Sequence, residues 1–411
     1  MRGLQKDNIR NFLSLQNYDV RESRNARWID QKCTPDVVTI VCDCILQYTE
    51  NNYGEFTPEN IRLAEYTVEN VQAIFKKPKT TEEKAINEYD KFFGQPMKML
   101  AYAGVLSEKK KRKRNFYTIL DFDMLRYLSL RERNSLTFLQ MYISKVLSDS
   151  GIKHLFDKLF DKQTKKSYDD SKSGLTNFLL SHTKIGDRGS DGKYETGRIF
   201  SKIVNPLAFE LNKRGTKNGR ISKHRITYDM LMYNRDNFRD VYADKPKELT
   251  RRQYAEQIKF APSSRLNVYM SQKAKRILRQ FNDDFRGGMS EIEDGKHNSD
   301  RATHIHHIFP EAEFPEICAH YENLIALTPT QHLNYAHPLN HTSKICREYQ
   351  HICLLAKAEN IRESLENSDV IYEFGNFLFV LFVGLDNDFF MQISDGGFDE
   401  AVTAINLAYQ E

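Results

Sequence analysis

The spacing of apolar and polar positions divides the chain into a helical first part, a mixed middle and a strand–strand–helix pattern beyond residue 300. "CTPDVVTIVCDCILQYTE", residues 33–50, opens with a helix start signal: Thr34 as N-cap, Pro35 as first helical residue and Asp36 in the first turn. "FTPEN" at 56–60 repeats the Thr-Pro-acid start, and "EKAINEYDKFFGQPMKMLAYAGVL" at 83–106 carries helix patterning up to Gly104. "SEKKKRKRNFYTIL" at 107–120 then sets six consecutive cations (Lys109, Lys110, Lys111, Arg112, Lys113 and Arg114) between strand-like flanks, which predicts a basic hairpin.

In the middle, "NPLAFELNKRGTKNGRISKHRITYDMLMYNRDNFRD" at 205–240 has turn residues at Gly215, Asn218 and Gly219, with Lys213, Arg214, Lys217, Arg220, Lys223 and Arg225 in and beside the turn. A second basic hairpin followed by a Tyr/Asn/Arg-rich segment is expected. "SQKAKRILRQFNDDF" reads as a helix, and "RGGMSEIEDGKHNSD" at 286–300 as an exposed loop. Beyond it "THIHHIF" alternates like a strand that Pro310 ends. "ENLIALTPTQHLNYAHP" holds a second apolar stretch, then Thr328 as N-cap, Pro329 as first helical residue and Pro338 as stop. "FLFVLFVGL" at 377–385 suits a buried strand or a core helix, being half the length of a membrane span.

A chain of 411 residues has room for two or three domains, and 40% hydrophobic with 28% charged residues reads as globular. No apolar run is long enough for a membrane span, and the start, "MRGLQKDNIRNF", lacks the apolar core of a secretory signal; a cytoplasmic location is expected. The six cysteines form no C-x-x-C pair, so buried thiols in a reducing compartment are the expectation. The formal charge of +4 is unevenly placed: residues 205–280 carry 18 Lys and Arg against 7 Asp and Glu, and residues 361–411 carry 1 against 10. That pattern suits a polyanion that meets the middle of the chain and avoids its end, or simply solvated helix faces.

Eight of the 12 histidines fall between residues 304 and 351. His304, His306 and His307 lie on the first predicted strand, and His332 lies in the first turn of the short helix. Imidazoles suit phosphodiester hydrolysis in two ways. Their pKa lies near neutrality, so one can take a proton from water, and their nitrogens hold divalent metals.

The order and spacing of these residues resemble the HNH (ββα-metal) nuclease motif: the pair His306–His307, "N-L" at Asn323–Leu324, and His332 nine residues after Asn323. The match covers about 40 residues directly. The resemblance implies His307 as general base, Asn323 as the residue that positions it by bonding nearby backbone, and His306 and His332 as metal ligands. His304 and His337 are possible supporting residues, as a third ligand or a phosphate contact. It also implies one divalent metal ion per active site. Mg²⁺ is the first expectation, while a histidine at 306, where many family members carry aspartate, favours Mn²⁺, Ni²⁺, Co²⁺ or Zn²⁺ on ligand grounds. Adjacent residues of a regular strand face opposite ways, so the strand is expected to bend at Ile308-Phe309-Pro310. A structural zinc site from Cys318, His320, His332 and His337 is the competing reading.

The helices and basic hairpin of the first region have the outline of a winged-helix domain. "NARWIDQKCTPDVV", "FTPENIRLAEYTVENVQAIFKKP" and "NEYDKFFGQPMKMLAYAGVL" resemble bacterial type II restriction endonucleases with a C-terminal HNH domain. The expected architecture is therefore α+β and multidomain: a winged-helix-like recognition region at 1–122, a basic connecting region at 123–255, and an HNH nuclease domain with extra helices at 256–411. What the resemblance implies is site-specific, metal-dependent cleavage of double-stranded DNA to 5′-phosphate and 3′-hydroxyl ends. The two basic hairpins would touch DNA, possible pairing as a homodimer would cut both strands, and a cognate DNA methyltransferase would be the system partner. Alternatives are a DNA-binding regulator with an inert HNH scaffold, and a nuclease for structured or modified DNA.

Overall fold

The computed structural model describes residues 6–51, 54–75, 78–186, 191–233, 264–293, 295, 300–337, 345–367 and 371–410. The protein is α+β, mainly helical, with three two-stranded antiparallel sheets among the described residues. It divides into two compact units, Lys6–Phe260 and Ala261–Glu411.

The first unit is built on helix Pro35–Asn51, whose Val37, Val38, Val41 and Ile45 are fully buried. Pro35 begins it as expected, but the Thr34 hydroxyl is buried without a hydrogen-bond partner, so it does not cap the helix. Thr57 does cap: its hydroxyl accepts from the Asn60 N–H, and the Asn60 side chain accepts from the Thr57 N–H. Helix Ile86–Tyr102 stops before Gly104, whose φ of +87° suits glycine. Strands β1 (Leu106–Lys111) and β2 (Arg114–Ile119) form the first basic hairpin, and Phe56 bridges to Tyr117 on the far side of β2.

Residues expected as two regions, split at 122/123, form one unit. Helix Glu132–Asp149 lies against the first helices and shares their core. Thr39 and Ser135 hydroxyls bond at 2.8 Å, the Tyr142 hydroxyl donates to the Trp28 carbonyl at 2.7 Å, and the Tyr18 N–H donates to Asp149 at 3.0 Å. A boundary crossed by buried bonds is no domain boundary. The expected boundary at 255/256 lies outside the described residues.

The second basic hairpin pairs β3 (Arg214–Lys217) with β4 (Arg220–Arg225). Asn218 and Gly219 both have positive φ, 53° and 73°, as a two-residue loop between right-twisted strands requires. The Tyr/Asn/Arg-rich segment expected after it is described only to Tyr233; residues 234–255 lie outside the described residues.

The second unit packs helix Ser264–Arg286, strands β5 (His304–His307) and β6 (Leu324–Leu327), and helices Arg347–Glu366, Phe374–Leu385 and Phe398–Ala408 around one core. "FLFVLFVGL" is a helix, with Phe377, Val380 and Leu381 fully buried. A side chain at Gly384 would meet the Phe309 ring at 2.4 Å, so glycine is what lets this helix lie against the residues after β5. The stretch 286–300 is not simply an exposed loop, because Glu291 and Ile292 are buried. Glu291 meets the open edge of β6: its N–H donates to the Ala326 carbonyl at 2.9 Å, and its carboxylate accepts from the Ala326 N–H at 2.8 Å. The same carboxylate accepts from Lys357 Nζ at 2.5 Å and Asn360 Nδ2 at 3.0 Å, so a buried charge is paired and bonded rather than exposed.

All six cysteines are free thiols, five buried and Cys346 half-buried. Among the described residues no helix is long and apolar enough to cross a membrane.

Candidate metal centre

Pairing in β5–β6 runs without interruption from His304↔Leu327 to His307↔Leu324, and the Ile308 N–H continues it to the Asn323 carbonyl at 2.9 Å. Alternation therefore puts His304 and His306 on one face and Ile305 and His307 on the other. β5 ends at His307, and the chain bends at Ile308 and Phe309, where a bend is expected. Asn323 holds the backbone in register: its Oδ1 accepts from the Phe309 N–H at 2.9 Å, and its Nδ2 donates to the carbonyls of Phe309 at 3.0 Å and Ile317 at 3.3 Å. That backbone clamp is the task expected of Asn323.

After β6 the chain turns into the short helix carrying His332. Thr328 and Gln331 start it reciprocally: the Gln331 N–H donates to the Thr328 hydroxyl at 3.2 Å, and the Thr328 N–H donates to Gln331 Oε1 at 3.1 Å. Gln331–Ala336 is a π-helical turn, a form frequent at functional sites. Pro338, expected to stop it, lies outside the described residues.

These elements bring His306, His332 and His337 together, with one ligand nitrogen from each within 4.8 Å of the others. Ring centroids lie 5.2 Å apart for His306–His332, 5.0 Å for His306–His337 and 4.8 Å for His332–His337. His304 stacks on His332 at 4.7 Å and its Nδ1 contacts the Thr303 hydroxyl at 3.1 Å. Of the four residues in the competing zinc reading, only His332 and His337 enter the cluster. The Cys318 carbonyl faces His307, and the His320 ring lies against Phe379 at 5.6 Å.

The donor set fits a divalent metal. His332 Nδ1 is buried with no hydrogen-bond partner, an orphan that a cation would satisfy. Burial, reinforced by the neighbouring imidazoles His332, His337 and His307 and by Lys275, pushes the His306 pKa down to about 2. Burial, then His337, His304 and Lys275, push His332 down to about 4. Both rings are thus neutral near pH 7, the form that ligates metal.

His307 faces away from this triad. Its Nε2 lies 3.0 Å from the Cys318 carbonyl, 3.5 Å from Ser271 Oγ and 4.0 Å from Glu311. A carbonyl only accepts, so Nε2 carries the proton and Nδ1 carries the lone pair. Burial first, then Lys275, push its pKa down to about 4, against the Cys318 bond and Glu311. A neutral imidazole with a defined basic nitrogen is a proton acceptor.

His337, open in the sequence between a third ligand and a phosphate contact, lies in the triad. Two features escaped the sequence reading. Lys275 on helix Ser264–Arg286 acts electrostatically on His306, His307 and His332. The Ser271 hydroxyl donates to Glu311 at 2.9 Å beside the His307 ring. Only the cation-rich "SQKAKR" marked that helix in the sequence, and cations on a helix have many ordinary uses.

In the first hairpin Lys111 pairs with Glu55, and Arg114 with Glu59 at 3.3 Å. Lys109, Lys110, Arg112 and Lys113 are exposed and form no ion pair among the described residues. In the second, Lys213, Lys217, Arg220 and Lys223 are exposed, while half-buried Arg214 donates to the Gln163 carbonyl at 2.5 Å.

No protein family, curated protein or solved structure matches the chain.

Proposed function

We propose that the protein is a metal-dependent endonuclease for double-stranded DNA, with an HNH (ββα-metal) cutting module in residues 261–411. The observation that carries this is the convergence of His306 from β5 with His332 and His337 from the short helix and its end, with a buried, unbonded His332 Nδ1 among them. When bound, a divalent metal supplies charge neutralisation at the scissile phosphate and the leaving oxygen. The three imidazoles hold it, His307 Nδ1 accepts the proton of the attacking water, and Asn323 keeps the connecting backbone in place. A neutral all-nitrogen set favours Zn²⁺, Ni²⁺, Co²⁺ or Mn²⁺ over the Mg²⁺ first expected.

The first unit supplies the DNA contacts in this reading. Its order of a helix, a bridging residue at Phe56, further helices and a cation-tipped hairpin supports the winged-helix reading. The exposed cations of the two hairpins suit phosphate contacts. One centre per chain breaks a duplex by pairing of two copies or by two successive nicks. Partnership with a methyltransferase in a restriction system belongs to the same proposal.

The test is digestion of linear phage DNA by the full chain with Mg²⁺, Mn²⁺, Co²⁺, Ni²⁺ or Zn²⁺ in turn, beside a His306→Ala control. Discrete fragments made only by the wild type support a site-specific nuclease. Tight specific binding without cutting in any metal supports the regulator reading, and cuts confined to modified or branched DNA support the third.

A further inference from the structure

Helix Ser264–Arg286 runs beside β5, and two contacts fix its register. Ser271 Oγ lies 3.5 Å from His307 Nε2, while Arg279 donates to the Thr303 carbonyl at 2.9 Å. Ser271, Lys275 and Arg279 are spaced four apart and share one helix face. Lys275 is thus bracketed midway between contacts to the two ends of the histidine strand. Its neighbours Ala274 and Leu278 are buried in the core, and Lys275 emerges half-buried at the edge of that face.

Glu311 acts on Lys275, but the Glu311 carboxylate is engaged by Ser271, and no ion pair joins Lys275 to a carboxylate among the described residues. Burial holds the ammonium below the usual lysine value, with Glu311 opposing the shift. Its charge acts on His306, His307 and His332, imidazoles that offer no negative charge. A lysine stem often covers apolar surface with its head in water. That accounts for half-burial but not for a cation placed in the neighbourhood of a divalent-metal centre, where the two charges repel. An anion between them would offset that repulsion.

We propose that Lys275 is a phosphate-binding residue, contacting a non-bridging oxygen of the same phosphate group that the His306–His332–His337 centre receives. That the phosphate belongs to DNA rests on the nuclease reading; the anion site itself does not.

The probe is radiolabelled inorganic phosphate, dialysed to equilibrium against the full chain carrying one equivalent of Zn²⁺. Wild type is expected to bind phosphate, Lys275→Gln to bind it about tenfold or more weakly, and Lys275→Arg to stay within about threefold. Zinc content is expected to be equal in all three. The proposal is overturned if the zinc-loaded wild type binds no phosphate, if Lys275→Gln binds it as tightly, or if Lys275→Gln loses its zinc. Phage DNA digestion is a separate arm. Phosphate binding without DNA cutting removes the nuclease reading and leaves the anion site, whereas cutting that Lys275→Gln does not slow removes Lys275.

Discussion

The backbone N–H of His337 donates to the carbonyl of His332, five residues back, at 3.2 Å, and the two rings meet edge to face. In an α-helix a residue five positions on is rotated about 140° away from the first. The wider turn brings it round onto the same side. His337→Ala is therefore expected to weaken metal binding as severely as His306→Ala or His332→Ala, beyond the roughly 10–100-fold typical of outer partners. His304→Ala, which removes a stacked ring, should cost less. Isothermal titration with Zn²⁺ ranks the four; wild-type affinity in His337→Ala would remove it from the ligand set.

His307 separates proton transfer from metal binding, because its ring bonds the Cys318 carbonyl on the other side of β5. His307→Ala should lower the cleavage rate by about 10²–10⁴-fold. Metal content and DNA affinity should stay at wild-type values. Single-turnover cleavage, with zinc content measured on the same sample, checks both halves. A variant that cuts at the wild-type rate would show that another group takes the proton.

Asn323 is fully buried, and its side chain serves one N–H and two carbonyls of the segment after β5. Asn323→Ala leaves the Phe309 N–H and both carbonyls without that partner, at a cost of about 1–3 kcal/mol for each group left unsatisfied. Asn323→Asp keeps the acceptor but loses the donor and buries a charge, so it should be no milder. Hydrogen exchange at the Phe309 amide is the direct readout. Protection that survives in Asn323→Ala would mean the strand pairing alone holds this turn.

How much of this was legible follows the range of the interactions. The basic hairpin at 107–120, the Thr57 cap and the Asn218-Gly219 turn were readable because each is decided within a few residues. The histidine strand, Asn323 and the His332 helix were readable as an ordered spacing. The Thr34 cap failed because burial withdrew its hydroxyl from the helix end, a tertiary effect. Glu291 read as loop because its partner Lys357 lies far along the chain. His337 stays open in the sequence between a third ligand and a phosphate contact, since α-helical periodicity does not put positions 332 and 337 on one face. Lys275 carried no pattern at all; its meaning comes from Ser271 and Arg279 touching the two ends of a strand.

The first hairpin distinguishes cations that are free to meet phosphate from those already paired. Lys111 and Arg114 are held by Glu55 and Glu59, whereas Arg112 and Lys113 sit in the exposed turn with no ion pair among the described residues. Each phosphate contact contributes about 0.9 to the slope of log affinity against log salt. Replacing both Arg112 and Lys113 by Ala should therefore reduce that slope by up to about 2 and weaken binding to all duplex sequences alike. Replacing Lys111 and Arg114 frees two carboxylates as it removes two cations, so binding should weaken through repulsion with a smaller loss of slope. Fluorescence anisotropy on a labelled duplex across a salt series measures both. An unchanged slope in the Arg112/Lys113 variant would take the hairpin tip off the DNA and return its charges to the role of a solvated loop.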